Sequence, residues 1–311
     1  MAKQSTREAY GKALVALGAE NPNIVVLDAD LSKSTKTADF AKHYPERFFN
    51  MGIAEANMMG TAAGFAAAGK IPFASTFAVF ATGRAFEQIR NSIAYPKINV
   101  KIAATHSGVT VGEDGGSHQA IEDVAIMRAL PNMTVLVPAD GEETRQAIDA
   151  AAAYKGPVYI RMGRLDVPIL FDENYTFEIG KANVIREGSD VTIFANGVMV
   201  AAALEAAEEL AGRGVQAAVV NVASVKPLDE ETITRMAKAT GAVVTAEEHT
   251  IIGGLGSAVA EVLAENAPTP MVRVGLKDSF GQSGRPLELL EKYGLTPTDI
   301  VKAVDEVLKR K

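Results

Sequence analysis

Cysteine is absent from the 311 residues, which excludes disulfides and thiolate metal sites and agrees with a reducing cytoplasm. Histidine is scarce: His43, His106, His118 and His249 are the only four, and no two have ligand spacing on one helix, as in HExxH. No apolar run is long enough for a bilayer. The most apolar, Met58–Ala68, is short and has Glu55 beside it, so it reads as a buried helix. Its Gly60 and Gly64 read as close helix packing in a soluble core, not as a membrane contact. The first residues, MAKQSTREAYGKAL, lack the basic start and apolar core of a signal peptide. Positive charge is in deficit, with a net charge of −7, so neither nucleic acid nor an anionic membrane is suggested as partner.

What is present is alternation. Short Val- and Ile-rich runs at Ile24–Asp28, Val100–Thr105, Thr134–Val137 and Val158–Arg161 read as strands. Between them, Ile121–Leu130 and Glu142–Tyr154 have helical period. Ser5-Thr6-Arg7-Glu8 fits a capping box that opens the first helix. The pattern stutters at Leu170–Gly188, where a domain boundary is expected. A second set of strands follows at Val191–Ala195, Ala217–Val222, Ala242–Thr245 and Met271–Val274. Its helices are expected near Val198–Ala211, Glu230–Ala239, Gly256–Ala264 and Thr298–Lys309. The chain therefore reads as α/β, with two doubly wound domains of mostly parallel strands, residues 1–178 and 188–311.

Two glycine motifs fail on inspection. Gly64 to Lys70 resembles a P-loop, but Ile71 follows where a magnesium-ligating hydroxyl belongs, and no strand precedes it. Gly253-Gly254-Leu255-Gly256 lacks the third glycine of a dinucleotide loop, because Val259 stands there. A tight strand-to-helix turn is the better reading.

Three stretches carry chemistry. Thr105 to Gln119 runs from a strand end to a helix start, the edge where α/β sheets bind ligands. It holds two acids and two histidines within the thirteen residues from His106 to His118. In Met51-Gly52-Ile53-Ala54-Glu55-Ala56-Asn57, Glu55 heads a small-residue helix. It is either a favourable charge at a helix N-terminus or a partly desolvated carboxylate with a partner. In Ser75-Thr76-Phe77-Ala78-Val79-Phe80, the two aromatics belong either to the core or to the wall of a slot for a flat ring.

Together these stretches resemble the pyrimidine-binding domain of transketolases. GIAEAN, STFAVF, ATHSGVTVGEDGGSHQ and RALPNMTVLVPAD fall in that family's order, and the region after residue 188 resembles its C-terminal domain. The resemblance implies thiamine diphosphate as cofactor, with Glu55 bonding the aminopyrimidine ring nitrogen and Phe77 and Phe80 packing the ring. The family's third aromatic is Gly83 here. Asp30 matches an acid of a loop near the cofactor. His118 matches a histidine at the reacting centre, and Asp114 an acid that reads a substrate hydroxyl. Arg7, Ser34, His106 and Arg164 match the residues that hold a sugar phosphate, although Ser107 stands where an acid often follows the histidine.

A complete transketolase also has an earlier domain whose GDG stretch leads the Mg²⁺ ligands, and no GDG occurs here. The resemblance thus implies a split enzyme of pentose phosphate metabolism. The magnesium ligands are expected on a separate N-terminal subunit, in an α2β2 assembly. The rival readings are the beta subunit of a 2-oxo acid dehydrogenase, a 1-deoxyxylulose-phosphate synthase and a non-catalytic scaffold. GEDGGSHQ and the arginines favour the sugar-phosphate reading over the first, and the glutamate of GED over the second.

Overall fold

A computed structural model describes residues 2–311. The strands are β1 (Lys3–Ser5), β2 (Ile24–Asp28), β3 (Phe48–Asn50), β4 (Ile71–Phe77), β5 (Lys101–Thr105), β6 (Thr134–Leu136) and β7 (Val158–Arg161). They continue as β8 (Asp166–Pro168), β9 (Asn183–Arg186), β10 (Val191–Ala195), β11 (Ala217–Asn221), β12 (Ser224–Lys226), β13 (Val243–Thr250) and β14 (Met271–Leu276).

The first sheet has seven strands in the order β12-β6-β7-β5-β4-β2-β3. Its first six strands in chain order pair in parallel, and only β12 runs antiparallel. The central strands are buried along their whole length, as parallel strands covered on both faces must be. That is why Ile24–Asp28 and Val158–Arg161 read as continuous apolar runs. The second sheet is β14-β13-β10-β11-β9, parallel except for the edge strand β9. Strands are added on both sides of an inner strand in each sheet, with β7 inserted inside β6 and β9 closing the far edge of the second sheet, which is the doubly wound α/β arrangement the sequence implies.

Several local readings need correction. Strand β4 was not expected; Pro72, Ser75 and Thr76 disguise it, yet six of its seven residues are buried between β2 and β5. Ser5 does occupy the N-cap of the helix Thr6–Glu20, but its hydroxyl makes no cap bond and lies buried without a partner. Glu8 turns instead to Lys36, at 3.2 Å. The reciprocal capping box belongs to the last helix, Pro297–Leu308, where Thr296 and Asp299 satisfy each other's backbone amides.

The helix Glu55–Ala67 packs Met58, Met59, Ala62 and Ala63 into the core. Burying either methionine contributes roughly 1.5–3 kcal/mol. Gly60 and Gly64 do not pack closely, however: a Cβ at either would meet nothing within 4 Å. Their face of the helix points away from the core because the i, i+4 pair lies opposite the methionine stripe. The stretch Leu170–Gly188 is not wholly irregular, since it contains β9.

Two devices lock the halves together. Strand β12, from the second half, extends the first sheet beside β6, with Ser224 opposite Leu136. Lys226 then donates to the carbonyls of Arg128 and Leu130 at 2.9 and 2.6 Å, at the end of the helix Asp123–Ala129. In the interior, Arg161 bonds the Asp123 carboxylate at 2.8 Å and the carbonyl of Glu248 at 2.9 Å. Burial alone raises the Asp123 carboxyl, but the Arg161 guanidinium overrides it and holds the group below its ordinary value.

The glycine turn at residues 253–256 is indeed a strand-to-helix turn. Glu247 accepts the amides of Leu255 and Gly256 at 2.7 and 2.8 Å, at the N-terminus of the helix Leu255–Asn266. The carboxylate thus fills the anion cradle that a nucleotide phosphate would need. The other glycine string, Gly64–Lys70, precedes a strand instead of following one, the reverse of P-loop order.

Candidate functional site

The loops that follow β2, β3, β4, β5 and β7 all emerge at the carboxyl edge of the parallel sheet. The chain turns left from β2 to β3 and then right to β4, so a topological switch point opens beside β2. Every candidate site residue lies at this edge, at the end of a strand or in the segment that follows one, except Arg7.

Glu55 opens its helix, so it does stand at a helix N-terminus, and at 4% exposed it is also the desolvated carboxylate. Its partner was missed by the sequence reading: Arg84 Nη1 donates to Glu55 Oε1 at 3.0 Å. Phe77 ends β4, and Phe80 begins the π-helical turn Phe80–Arg84. Their rings stack at 5.8 Å between centroids, with 15° between planes. Such wide turns are uncommon and concentrate at functional sites. Here the turn brings the Arg84 guanidinium to 4.1 Å from the Phe80 ring centroid.

His106 leaves β5 with φ 56°, a left-handed conformation uncommon for a non-glycine residue. This turns its ring onto Phe77, with centroids 3.8 Å apart. Burial, followed by the nearby Arg7, Arg164 and His118 charges, pushes its pKa down to about 3, so the imidazole is neutral at neutral pH. His118 stands edge-on to Phe80 at 5.2 Å and to Phe77 at 6.5 Å. One aromatic cluster therefore joins the Glu55 slot to the glycine-rich loop.

Arg7 reaches the same place by another route. Strand β1 pairs antiparallel with β8, with Ser5 opposite Asp166. Arg7 and Arg164 therefore lie two residues outside the paired ends, on the same side. Arg7 donates to the carbonyl of Ser34 at 2.9 Å, so Ser34 enters through its backbone. Burial, then Arg164, lowers the Arg7 pKa, which marks two guanidiniums sharing one corner. Arg164 bonds the carbonyl of Val111 at 2.5 Å and Glu113 at 3.2 Å. Asp114 is exposed beside them. Asp30 pairs with Asn50: each backbone or amide N–H donates to the other's side chain at 3.1 Å. Its loop is held from beneath by Asp28, which accepts from Leu31 N, Thr35 Oγ1 and Thr37 Oγ1 at 2.6–2.9 Å.

The glycine-rich loop is clamped by the second half of the chain. Glu248 accepts from Thr110 N at 2.6 Å, and Gly108 is obligatory because a Cβ there would lie 2.2 Å from the Glu248 carboxyl carbon. Gln119 donates to the carbonyls of Val109 and Gln282 at 3.1 and 2.9 Å. Ser107 donates to the carbonyl of Met162 at 3.1 Å.

An open parallel-sheet edge with a buried carboxylate beside stacked rings defines the class of α/β proteins that bind a flat ring there. Residues 2–169 match the family profile described as transketolase, pyrimidine binding domain, and residues 180–300 match transketolase, C-terminal domain. The chain belongs to the transketolase family. It is 54% identical, over 98% of its length and 96% of the relative's, to a putative transketolase C-terminal section of Methanocaldococcus jannaschii. It is 49% identical, over 98% and 95% of the two lengths, to a 6-deoxy-6-sulfo-D-fructose transketolase subunit of Clostridium sp. strain MSTE9. A solved split gene transketolase, described as an inactive β4 tetramer, superposes with a TM-score of 0.93 at 64% identity, covering 98% of each chain.

Membership implies thiamine diphosphate. The chain's residues fit its aminopyrimidine end, because a buried carboxylate lies beside stacked aromatic rings at an open sheet edge. Among the described residues, no group of three or more His, Asp or Glu side chains is placed to hold a metal ion, and no helix is long and apolar enough to cross a membrane.

Proposed function

We propose that the chain is the C-terminal subunit of a split transketolase. It transfers a two-carbon ketol unit from a ketose phosphate to an aldose phosphate, and works only with an N-terminal subunit, in an α2β2 assembly in the cytoplasm. The observation that carries this reading is the convergence of two unlike sites on one edge. One is a buried carboxylate with stacked rings, and the other is a corner with two arginines, of which Arg164 bonds Glu113 of GEDGGSHQ.

Thiamine diphosphate, when bound, supplies the carbon nucleophile and the electron sink. This chain grips the pyrimidine end, while Mg²⁺ and the diphosphate fall to the partner. Glu55 would hydrogen-bond the pyrimidine ring nitrogen, the point at which this chain can hold a proton. Phe77 and Phe80 fix the ring plane and exclude water. His118, edge-on to both rings, serves the substrate oxygens, and the exposed Asp114 reads a hydroxyl. Arg7 and Arg164 bind the terminal anion, with Ser34 and neutral His106 completing the corner. Asp30, oriented by Asn50, faces the cofactor loop. In this reading residues 1–178 form the pyrimidine domain and residues 188–311 the C-terminal domain.

The test is a two-carbon transfer assay on the complex captured with this chain from its native host. Thiamine diphosphate, Mg²⁺, xylulose 5-phosphate and ribose 5-phosphate are supplied. Sedoheptulose 7-phosphate forms only when both chains are present. Turnover of pyruvate with an electron acceptor instead moves the chain to the 2-oxo acid dehydrogenases. No turnover, with no cofactor-induced rise in melting temperature, leaves a scaffold.

A further inference from the structure

Arg84 has no place in the mechanism above, yet it touches both halves of the slot. Its guanidinium bonds Glu55 Oε1 at 3.0 Å and lies over the Phe80 ring at 4.1 Å. A guanidinium is flat, carries N–H donors in its plane and stacks on aromatic faces. A pyrimidine ring shares the flatness and the stacking, and it would meet the same carboxylate through a ring nitrogen. We propose that Arg84 is an internal stand-in for the cofactor's pyrimidine: it satisfies Glu55 and covers Phe80 until the ring displaces it. This inference rests on the assignment of Glu55 and Phe80 to the pyrimidine.

The chemistry of Glu55 requires the displacement. Arg84 Nη1 already occupies Glu55 Oε1 at 3.0 Å, so a ring nitrogen that is to bond that oxygen along the same line has to take its place. Glu55 is 5% exposed at its side chain, so leaving it unpaired before the cofactor arrives is costly. Arg84 removes that cost in the free chain. Its own side chain is 54% exposed, so it leaves toward water without losing a buried environment. Gly83 provides the room, because a Cβ at that position would meet nothing within 4 Å. The family's third aromatic would stand at this position. Its absence thus coincides with a half-exposed arginine one residue later, carried over Phe80 by the π-helical turn.

A stand-in taxes affinity. The apparent dissociation constant equals the intrinsic one divided by the fraction of slots that are open. One partly exposed ion pair and one cation–π contact together correspond to an affinity factor of about 3- to 30-fold. The test is calorimetric titration of thiamine diphosphate, at fixed Mg²⁺, into the assembled complex carrying wild-type chain, Arg84→Ala or Arg84→Met. The methionine keeps an apolar stem on Phe80 but has no donor for Glu55. Both variants are expected to bind about 3- to 30-fold tighter than wild type, with the gap narrowing at high salt as the ion pair is screened. A residue that merely supports the fold, or that positions Glu55 for the bound ring, would loosen binding when removed. Equal or weaker affinity in both variants, with the wild type binding normally, overturns the stand-in and leaves the cofactor assignment in place. Failure of wild type and variants alike to bind removes the assignment of Glu55 and Phe80, and the stand-in falls with it.

Discussion

Asp123→Ala is the substitution that most severely tests how the interior is held. Asp123 is fully buried, and its Oδ2 accepts from Arg161 Nε at 2.8 Å and from Tyr159 OH at 2.6 Å. The arginine side chain is 5% exposed, and its remaining bonds go to the carbonyls of Ala120 and Glu248. Truncating the aspartate strands a guanidinium in the core with neutral acceptors only. The expected loss is about 3–5 kcal/mol, the usual cost of an uncompensated buried charge. For a chain of this size that is a fall in melting temperature of about 5–10 °C. The double substitution Asp123→Leu with Arg161→Met removes both charges and keeps the volume, so it is expected to cost less than Asp123→Ala alone. Urea unfolding of the three chains supplies the comparison. A single-variant cost below about 1 kcal/mol, or a double variant as destabilised as the single, refutes the argument that charge compensation matters here.

Glu55→Gln is expected to cut two-carbon transfer by about 10²- to 10⁴-fold while the circular dichroism spectrum is unchanged; a near-normal rate shows that the carboxylate holds no catalytic proton. Arg164→Ala is expected to raise KM for phosphorylated sugars more than for unphosphorylated ones, with kcat little changed, because it removes ground-state binding. Burial raises the Glu248 carboxyl from 4.5 to about 7, so its contribution to stability is fully present below about pH 4.5 and is lost as pH rises through about 7. Glu248→Gln keeps an acceptor for Thr110 N, and its stability, followed by urea midpoints from pH 4.5 to 8, should fall less steeply than that of the wild type. Thr296→Ala is expected to cost about 1 kcal/mol by opening the capping box of the last helix, as read from its melting temperature.

The elements that a single chain segment specifies were readable before the structure. Ile24–Asp28, Val158–Arg161 and Val191–Ala195 coincide with their strands to the residue, because each is a β-branched run buried on both faces. Strand β4 was hidden because proline and hydroxyl residues occupy a central strand, where burial between neighbours outweighs propensity. Strand β13 extends past its apolar start through Glu247, Glu248 and His249, which are buried at the junction between the halves. No local pattern announces that charged residues there will face an interior. The same limit applies to the site. Glu55, Phe77 and His118 stand in recognisable motifs, but Arg84 acquires meaning only from a carboxylate 29 positions away. The only signal that could have found it was an arginine next to the missing third aromatic.

Strand β12 gives the chain a constraint on how it can be divided. Residues 224–226 lie in the second half, yet they cover the outer edge of β6 in the first sheet. A protein shortened to residues 1–178 therefore bares the backbone donors and acceptors of β6, an open template for pairing with another copy. Such a fragment should self-associate, the more so because it also loses Ala223, Val225 and Ala258 from its core. The first half thus depends on the second for its sheet edge as well as for the clamp on its glycine-rich loop, and its genetic boundary cannot be moved to the linker without a replacement for that strand.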